Sequence, residues 1–229
     1  MKDLLQEKNA LYGRFAVTIK LNELNYLDTA KFYPDKTPYD KVAHYAVFGG
    51  SPFVNQALRP TATLRENIVS TILNPVSAVY LYASQLLLSD YSVKINAERI
   101  FAVIGNGKKR YSEIEDKLDV KKTGNLAKQM KPLRDLEIIS RNYPINKLND
   151  SKKSTFEIND NLLRFYFTFI YKNASALQVL GAEAFYDEYV APTLTDFISR
   201  RFEGICRDYF SLQVRSGKLK GVRNIGSYY

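Results

Sequence analysis

The stretch KKRYSEIEDKLDVKKTGNLAKQMKPLRDLEIISR runs from Lys108 to Arg141, and its reading decides the fold. Ser112 followed three residues later by Glu115 has the form of a capping box, in which each side chain satisfies a free amide of the other's residue. That signal predicts a short helix over EIEDKL. DVKK then forms a turn, and Thr123 can cap a second helix, GNLAKQMKPLRDL. Its apolar residues Leu126, Met130, Leu133 and Leu136 recur at helical spacing. Pro132 lies inside that helix, where it removes a hydrogen bond and crowds the carbonyl of Lys128, so a kink or a break into two turns is expected. Glu137 stands where a glycine would end the helix most comfortably.

Beyond it, EIISRNYPI and STFEIND alternate like two strands, joined by the polar stretch NKLNDSKK. Upstream, Asn96 can cap AERIFAVIGNG, which Gly105 and Gly107 end. Three helices followed by a β-hairpin, over residues 96–160, is the order of a winged helix-turn-helix. Lys121, Lys122, Asn125 and Lys128 lie on or just before the third helix, away from its apolar stripe, where such a unit presents side chains to a major groove. Lys152 and Lys153 fall at the wing tip, within reach of phosphates. The competing reading is a solvated face on a packing unit, with Glu113, Glu115 and Asp116 diluting the basic field.

Outward from this unit the signals are mainly helical. RFAVTIKL (Arg14–Leu21) reads as a strand. NELNYLDTAKFY places Leu24, Leu27, Ala30 and Tyr33 on one helical face. YDKVAHYAVF is an amphipathic helix, with Gly49-Gly50 as a left-handed cap, and Pro52 opens the next helix at its first turn. Helical signals continue to about residue 95. After the wing, Asp160 caps NLLRFYFTFIY, which is apolar nearly all round and so reads as a buried helix. GAEAFYDEYVAPTLTDFISRRFEGICRDYF follows as one or two helices, interrupted near Pro192, and KLKGVRNIGSYY begins like a strand.

With 229 residues, 45% hydrophobic and 25% charged, the chain is globular and long enough for more than one compact unit. The net charge of +9 favours phosphate backbones or anionic surfaces. Cys206 is the single cysteine, so no disulfide forms within the chain, in keeping with a reducing cytoplasm. His44 is the single histidine and reads as a packed or surface residue; one Cys and one His build neither a zinc site nor a nucleophile–base pair. No phosphate-binding G-x-x-x-x-G-K-[ST] occurs, and the G-x-G at Gly105 and Gly107 follows a helix rather than a strand. The most apolar stretch, NPVSAVYLYASQLLL, is too short for a membrane span.

EKNALYGRF, HYAVFGGSPF, the winged-helix stretch, DNLLRFYFTFIYKN and RRFEGICRDY, in this order, resemble an archaeal-type AAA+ ATPase family that is also found in bacteria. The resemblance covers nearly the whole chain. It implies the end of an ATPase core and connector over 1–36, a helical lid over 37–95, a winged helix over 96–160, and the helical start of a PD-(D/E)XK nuclease-like region over 161–229. The fold it implies is mainly α with a small β-hairpin. The nucleotide-binding motifs would precede Met1 and the remaining nuclease strands would follow Tyr229, so ATP and Mg belong to full-length relatives and no cofactor is expected in this chain. Arg14, Gly49, Gly50 and Pro52 would lie near nucleotide, and Glu203 would be a remnant of the nuclease-like site. Plainer readings stand beside each: a solvated arginine, a C-cap followed by an N-cap, and an exposed helix glutamate. The implied partners are DNA and an ATPase core or a second copy, without a membrane. The alternative is a free-standing winged-helix module for protein interaction or transcriptional regulation.

Overall fold

Thr37, Ser51, Thr63 and Asp160 each begin a helix by accepting a backbone amide from the first turn. Pro38 and Pro52 follow two of these caps directly, at a position where a missing N–H costs nothing. Thr63 and Glu66 form a reciprocal box, with Thr63 N donating to Glu66 Oε2 at 2.7 Å and Glu66 N to Thr63 Oγ1 at 3.2 Å. The computed structural model describes residues 19, 21–89, 97–119, 125–148 and 150–228. It is mainly helical, with one small antiparallel sheet.

The order is α1 (Tyr26–Thr29), α2 (Pro38–Phe48), α3 (Pro52–Ala57), α4 (Leu64–Asn67), α5 (Ala78–Ser89), α6 (Ala97–Ile104), β1 (Lys109–Arg110), α7 (Tyr111–Leu118), α8 (Asn125–Asp135), β2 (Ile139–Asn142), β3 (Thr155–Ile158), α9 (Asn161–Phe165), α10 (Ala174–Phe185) and α11 (Ala191–Arg215). Wider π turns follow α4 (Ile68–Ile72), α9 (Tyr166–Ile170) and α10 (Tyr186–Val190).

Two apolar cores hold these elements. The first joins Val47, Phe48, Val54, Ile68 and Ile72 to Leu162, Phe165, Phe185, Val190 and Phe197. It therefore binds the helices of 37–95 to those of 161–229. The second joins Ile100, Phe101 and Ile104 of α6, Ile114 of α7 and Leu126, Met130 and Leu133 of α8 to Phe156 and Ile158 of β3, with Leu163 and Phe167 inserted from the following helix. The stretch from Asn161 to Ile170 feeds both cores, which is why its sequence is apolar on every side.

The elements of the second core follow one another in the order α6, β1, α7, α8, β2, β3. The sheet has a third strand that the hairpin reading missed: β1 pairs with β3 through Lys109↔Phe156, giving the order β1-β3-β2. β2 and β3 pair from Ile139↔Ile158 to Asn142↔Thr155.

Several local expectations are corrected. Ser112 lies inside α7, whose first turn is capped two residues earlier, by Arg110 N donating to Glu113 Oε2 at 2.6 Å. α8 runs through Pro132 without breaking. Leu27 and Leu136, both assigned to apolar faces, are each 49% exposed. α1 begins only at Tyr26, where Asn25 caps it. The C-terminal helices break at Gly181, which has φ 74° and ψ 168°, and Pro192 sits in the first turn of α11. Residues 218–228 form no strand; they return to the β2–β3 connection, where Ile145 N donates to Ser227 O at 2.8 Å. Of the N-terminal strand reading, Ile19 and Leu21 carry no regular structure and the remainder lies outside the described residues, as do Asn96 and Thr123.

Candidate functional site

α8 buries Leu126, Met130 and Leu133, which turns Lys128 to solvent. Asn125 is its first residue; Lys121 and Lys122 lie outside the described residues, as does Arg14. Across the sheet, Lys152 is exposed and Lys153 partly buried on the β2–β3 connection. Arg141 holds that connection in place. Its Nε donates to Ser154 Oγ at 2.8 Å, one Nη donates to the Ser151 carbonyl at 3.2 Å, and the guanidinium stacks over Tyr143 and Phe156.

The Gly49–Pro52 junction is explained by backbone geometry. Gly49 has φ 71° and ψ −162°, a region essentially confined to glycine, and not the left-handed helical cap expected of it. Gly50 lies against residues 23–24: Leu24 N donates to Gly50 O at 3.0 Å, and a Cβ on Gly50 would sit 1.9 Å from the Leu24 carbonyl oxygen. Behind them the buried Asn55 donates to the carbonyls of Gly49 at 3.0 Å and Ser51 at 2.8 Å, and accepts from the Tyr33 hydroxyl at 2.6 Å.

A cleft of about 620 Å³ opens beside this junction, lined among others by Glu23, Tyr45, Asp160, Asp208 and Arg215. Much of Glu23 is exposed, but its carboxylate turns in toward Gly50 N, 3.3 Å away. Burial and then the neighbouring Asp160 push Glu23 up to about 7; burial likewise raises Asp160. His44 is fully buried, with Nδ1 2.7 Å from Asp40 O and Nε2 3.3 Å from Asn67 Nδ2, and burial lowers its pKa.

Glu203 projects from α11 to Lys108 Nζ at 2.8 Å and also accepts from the Ser227 hydroxyl. Burial alone would raise its carboxyl, but these two bonds bring it below the usual carboxylate range. Among the described residues, no group of three or more His, Cys, Asp or Glu is placed to hold a metal ion. Glu203 instead edges a cleft of about 300 Å³ lined by Asn106, Gly107, Lys108, Lys109, Glu157, Arg164 and Arg200. Arg164 is only 3% exposed and stacks over Phe197, and its Nη1 meets no acceptor among the described residues. Burial, and then the positive field of Arg201, lower its pKa to about 10. Arg200 donates to the Asn106 carbonyl at 3.0 Å, and a Cβ on Gly107, which has φ 111°, would sit 3.2 Å from that guanidinium. Sequence reasoning singled out neither arginine. The available signal was Arg164 itself, a charge inside an otherwise apolar stretch.

No helix among the described residues is long and apolar enough to cross a membrane. Residues 166–229 match the family described as archaea bacterial proteins of unknown function (DUF234). The chain is similar to an uncharacterized protein, MJECL04, of Methanocaldococcus jannaschii, at 24% identity over 218 residues, which is 94% of this chain and 48% of that protein. The chain thus spans about half the length of that relative. No solved structure gives a significant match.

Proposed function

We propose that this chain binds DNA through α8 and the wing, and that it serves as the lid and winged-helix portion of an AAA+-type ATP-binding protein. The observation that carries the reading is Lys128 on the solvent side of α8, together with Lys152 on a wing pinned by Arg141. A recognition helix works in this way: its apolar face packs on the domain while its other face meets the groove. The net charge of +9 adds a sequence-independent attraction to phosphates. Catalysis is assigned to other parts of such a protein, and ATP to its nucleotide-binding core.

Fluorescence anisotropy with a labelled duplex tests this. Lys128→Glu and Lys152→Glu are each expected to weaken binding and to flatten the log–log salt slope by roughly one unit per lost phosphate contact. Lys31→Glu is the charge-matched control, since Lys31 is exposed and pairs with Asp28 three residues away. Equal losses in all three variants would reduce the binding to bulk charge and overturn the assignment.

A second reading, a protein-interaction module, draws on a shallow apolar groove lined by Pro38, Tyr39, Val42, Ile198, Ser199 and Phe202. Tyr39 and Phe202 are 63% and 49% exposed there. Unchanged DNA affinity in both lysine variants would favour it.

A further inference from the structure

We propose that the cleft between the Gly105–Lys109 loop and Arg164 and Arg200 binds a phosphate group carried by a small diffusible molecule. The cleft is lined by four cationic side chains, Lys108, Lys109, Arg164 and Arg200, against two carboxylates, Glu157 and Glu203. A second cleft of about 260 Å³ adjoins it and shares Asn106, Gly107, Arg164 and Arg200. Spaces of this size suit small ligands.

The buried arginine carries most of the argument. A charge removed from water needs a partner, and a guanidinium carries five donors. Arg164 Nη1 has no acceptor among the described residues, although the side chain is 3% exposed. Glu157, whose negative charge acts on Arg164, makes its close contacts elsewhere. Its Oε1 accepts from Asn142 Nδ2 at 2.5 Å and lies 3.9 Å from an Arg207 Nη. Arg200 stands over the same loop and spends Nη1 on Asn106. Both Arg200 and Arg201 add positive field at Arg164. An anion entering here would remove that repulsion and meet an unmatched donor.

The charge pattern favours phosphate over a simple carboxylate. Glu203 already neutralises Lys108 at 2.8 Å, so a ligand must carry enough charge to compete for that ammonium. A phosphate dianion does so, and its several oxygens match arginine's fork and lysine's point charge together. A duplex backbone fits less well. Arg164 is nearly sealed from the surface, and Lys128, Lys152 and Lys153 do not line the cleft. The site is therefore independent of the DNA-binding reading.

Isothermal titration of the full chain with inorganic phosphate, at constant ionic strength set by chloride, provides the test. Saturable binding is expected, with a matching rise in melting temperature. Arg200→Gln is expected to weaken phosphate binding about tenfold, the scale of one charge-assisted hydrogen bond. Arg200 is exposed, so the variant should fold. Lys152→Gln is expected to leave phosphate binding unchanged, and Arg200→Gln to leave duplex binding unchanged. AMP binding tighter than phosphate would assign a phosphomonoester as the source; equal or weaker binding would assign free phosphate. Absence of saturable heat, or equal losses in Arg200→Gln and Lys152→Gln, would overturn the proposal, as would duplex binding that falls with Arg200→Gln while no phosphate binds.

Discussion

Glu137 holds φ 59° at the end of α8, where the chain makes a Schellman turn. Ile138 N donates to Leu133 O and Glu137 N to Arg134 O, both at 2.9 Å, and Leu133 and Ile138 pack together in the second core. A left-handed conformation costs a side-chain-bearing residue roughly 1–2 kcal/mol. Glu137→Gly is therefore expected to stabilise the protein by about 1 kcal/mol, once the extra freedom of the unfolded glycine is subtracted. Chemical denaturation checks this; a loss of stability would show that the glutamate side chain outweighs its backbone strain. This residue was legible in the sequence, because the helical stripe ended with no glycine to turn it. Glu23 was not legible. Its carboxylate matters only because residues 23–24 cross Gly50 and face Asp160, a meeting across 137 positions of chain. The folded pKa of Glu23, about 7, lies above its ordinary 4.5, so the folded state keeps the proton longer. The resulting stability is fully present below about 4.5 and lost as pH rises through about 7. Glu23→Gln removes that loss. Its melting temperature is expected to exceed wild type near pH 8, with the gap closing near pH 5. A gap of constant size would place the effect in packing rather than ionisation.

α8 shows how an element can override a local rule. Pro132 deprives the Lys128 carbonyl of its usual donor, yet the helix continues, held by Met130 and Leu133 in the core and by the turn at Glu137. Tertiary burial outweighs the proline, and the break that the sequence allowed as the alternative to a kink does not occur. β1 failed to register for the opposite cause. Lys109-Arg110 is two charged residues long, with no apolar alternation to mark it, and becomes a strand only because β3 has an open edge beside it. The hairpin of β2 and β3 was legible from its alternation, though the paired region is four residues on each side. Asp160 was legible as the cap of α9 from its position before an apolar run, and Leu163 N donates to its Oδ1 at 2.8 Å. The arginine inside that run, Arg164, is where the periodic pattern was broken for a reason periodicity does not express.

At the scale of the molecule, the helices near the N-terminus and those near the C-terminus share a core, with α6–α8 and the sheet packed against the same central stretch. Windowed reading separates segments by sequence position, so it delimited a helical unit, a winged unit and a second helical unit. It had no means of seeing that residues around Phe48 and Phe165 close on each other. The order of motifs supplied the family resemblance, while the cleft at Arg164 required the fold, since Gly107, Lys108, Arg164 and Arg200 come from three separated stretches. The DNA-binding assignment rests on which surface faces outward. Amide hydrogen exchange, measured with and without a short duplex at low salt, maps that surface directly. Slowed exchange is expected in α8 and in residues 150–155 of the wing, with Pro38–Phe48 and the middle of α11 unchanged. Protection centred on the apolar groove at Tyr39 and Phe202, or no change anywhere with a duplex in saturating excess, would contradict it.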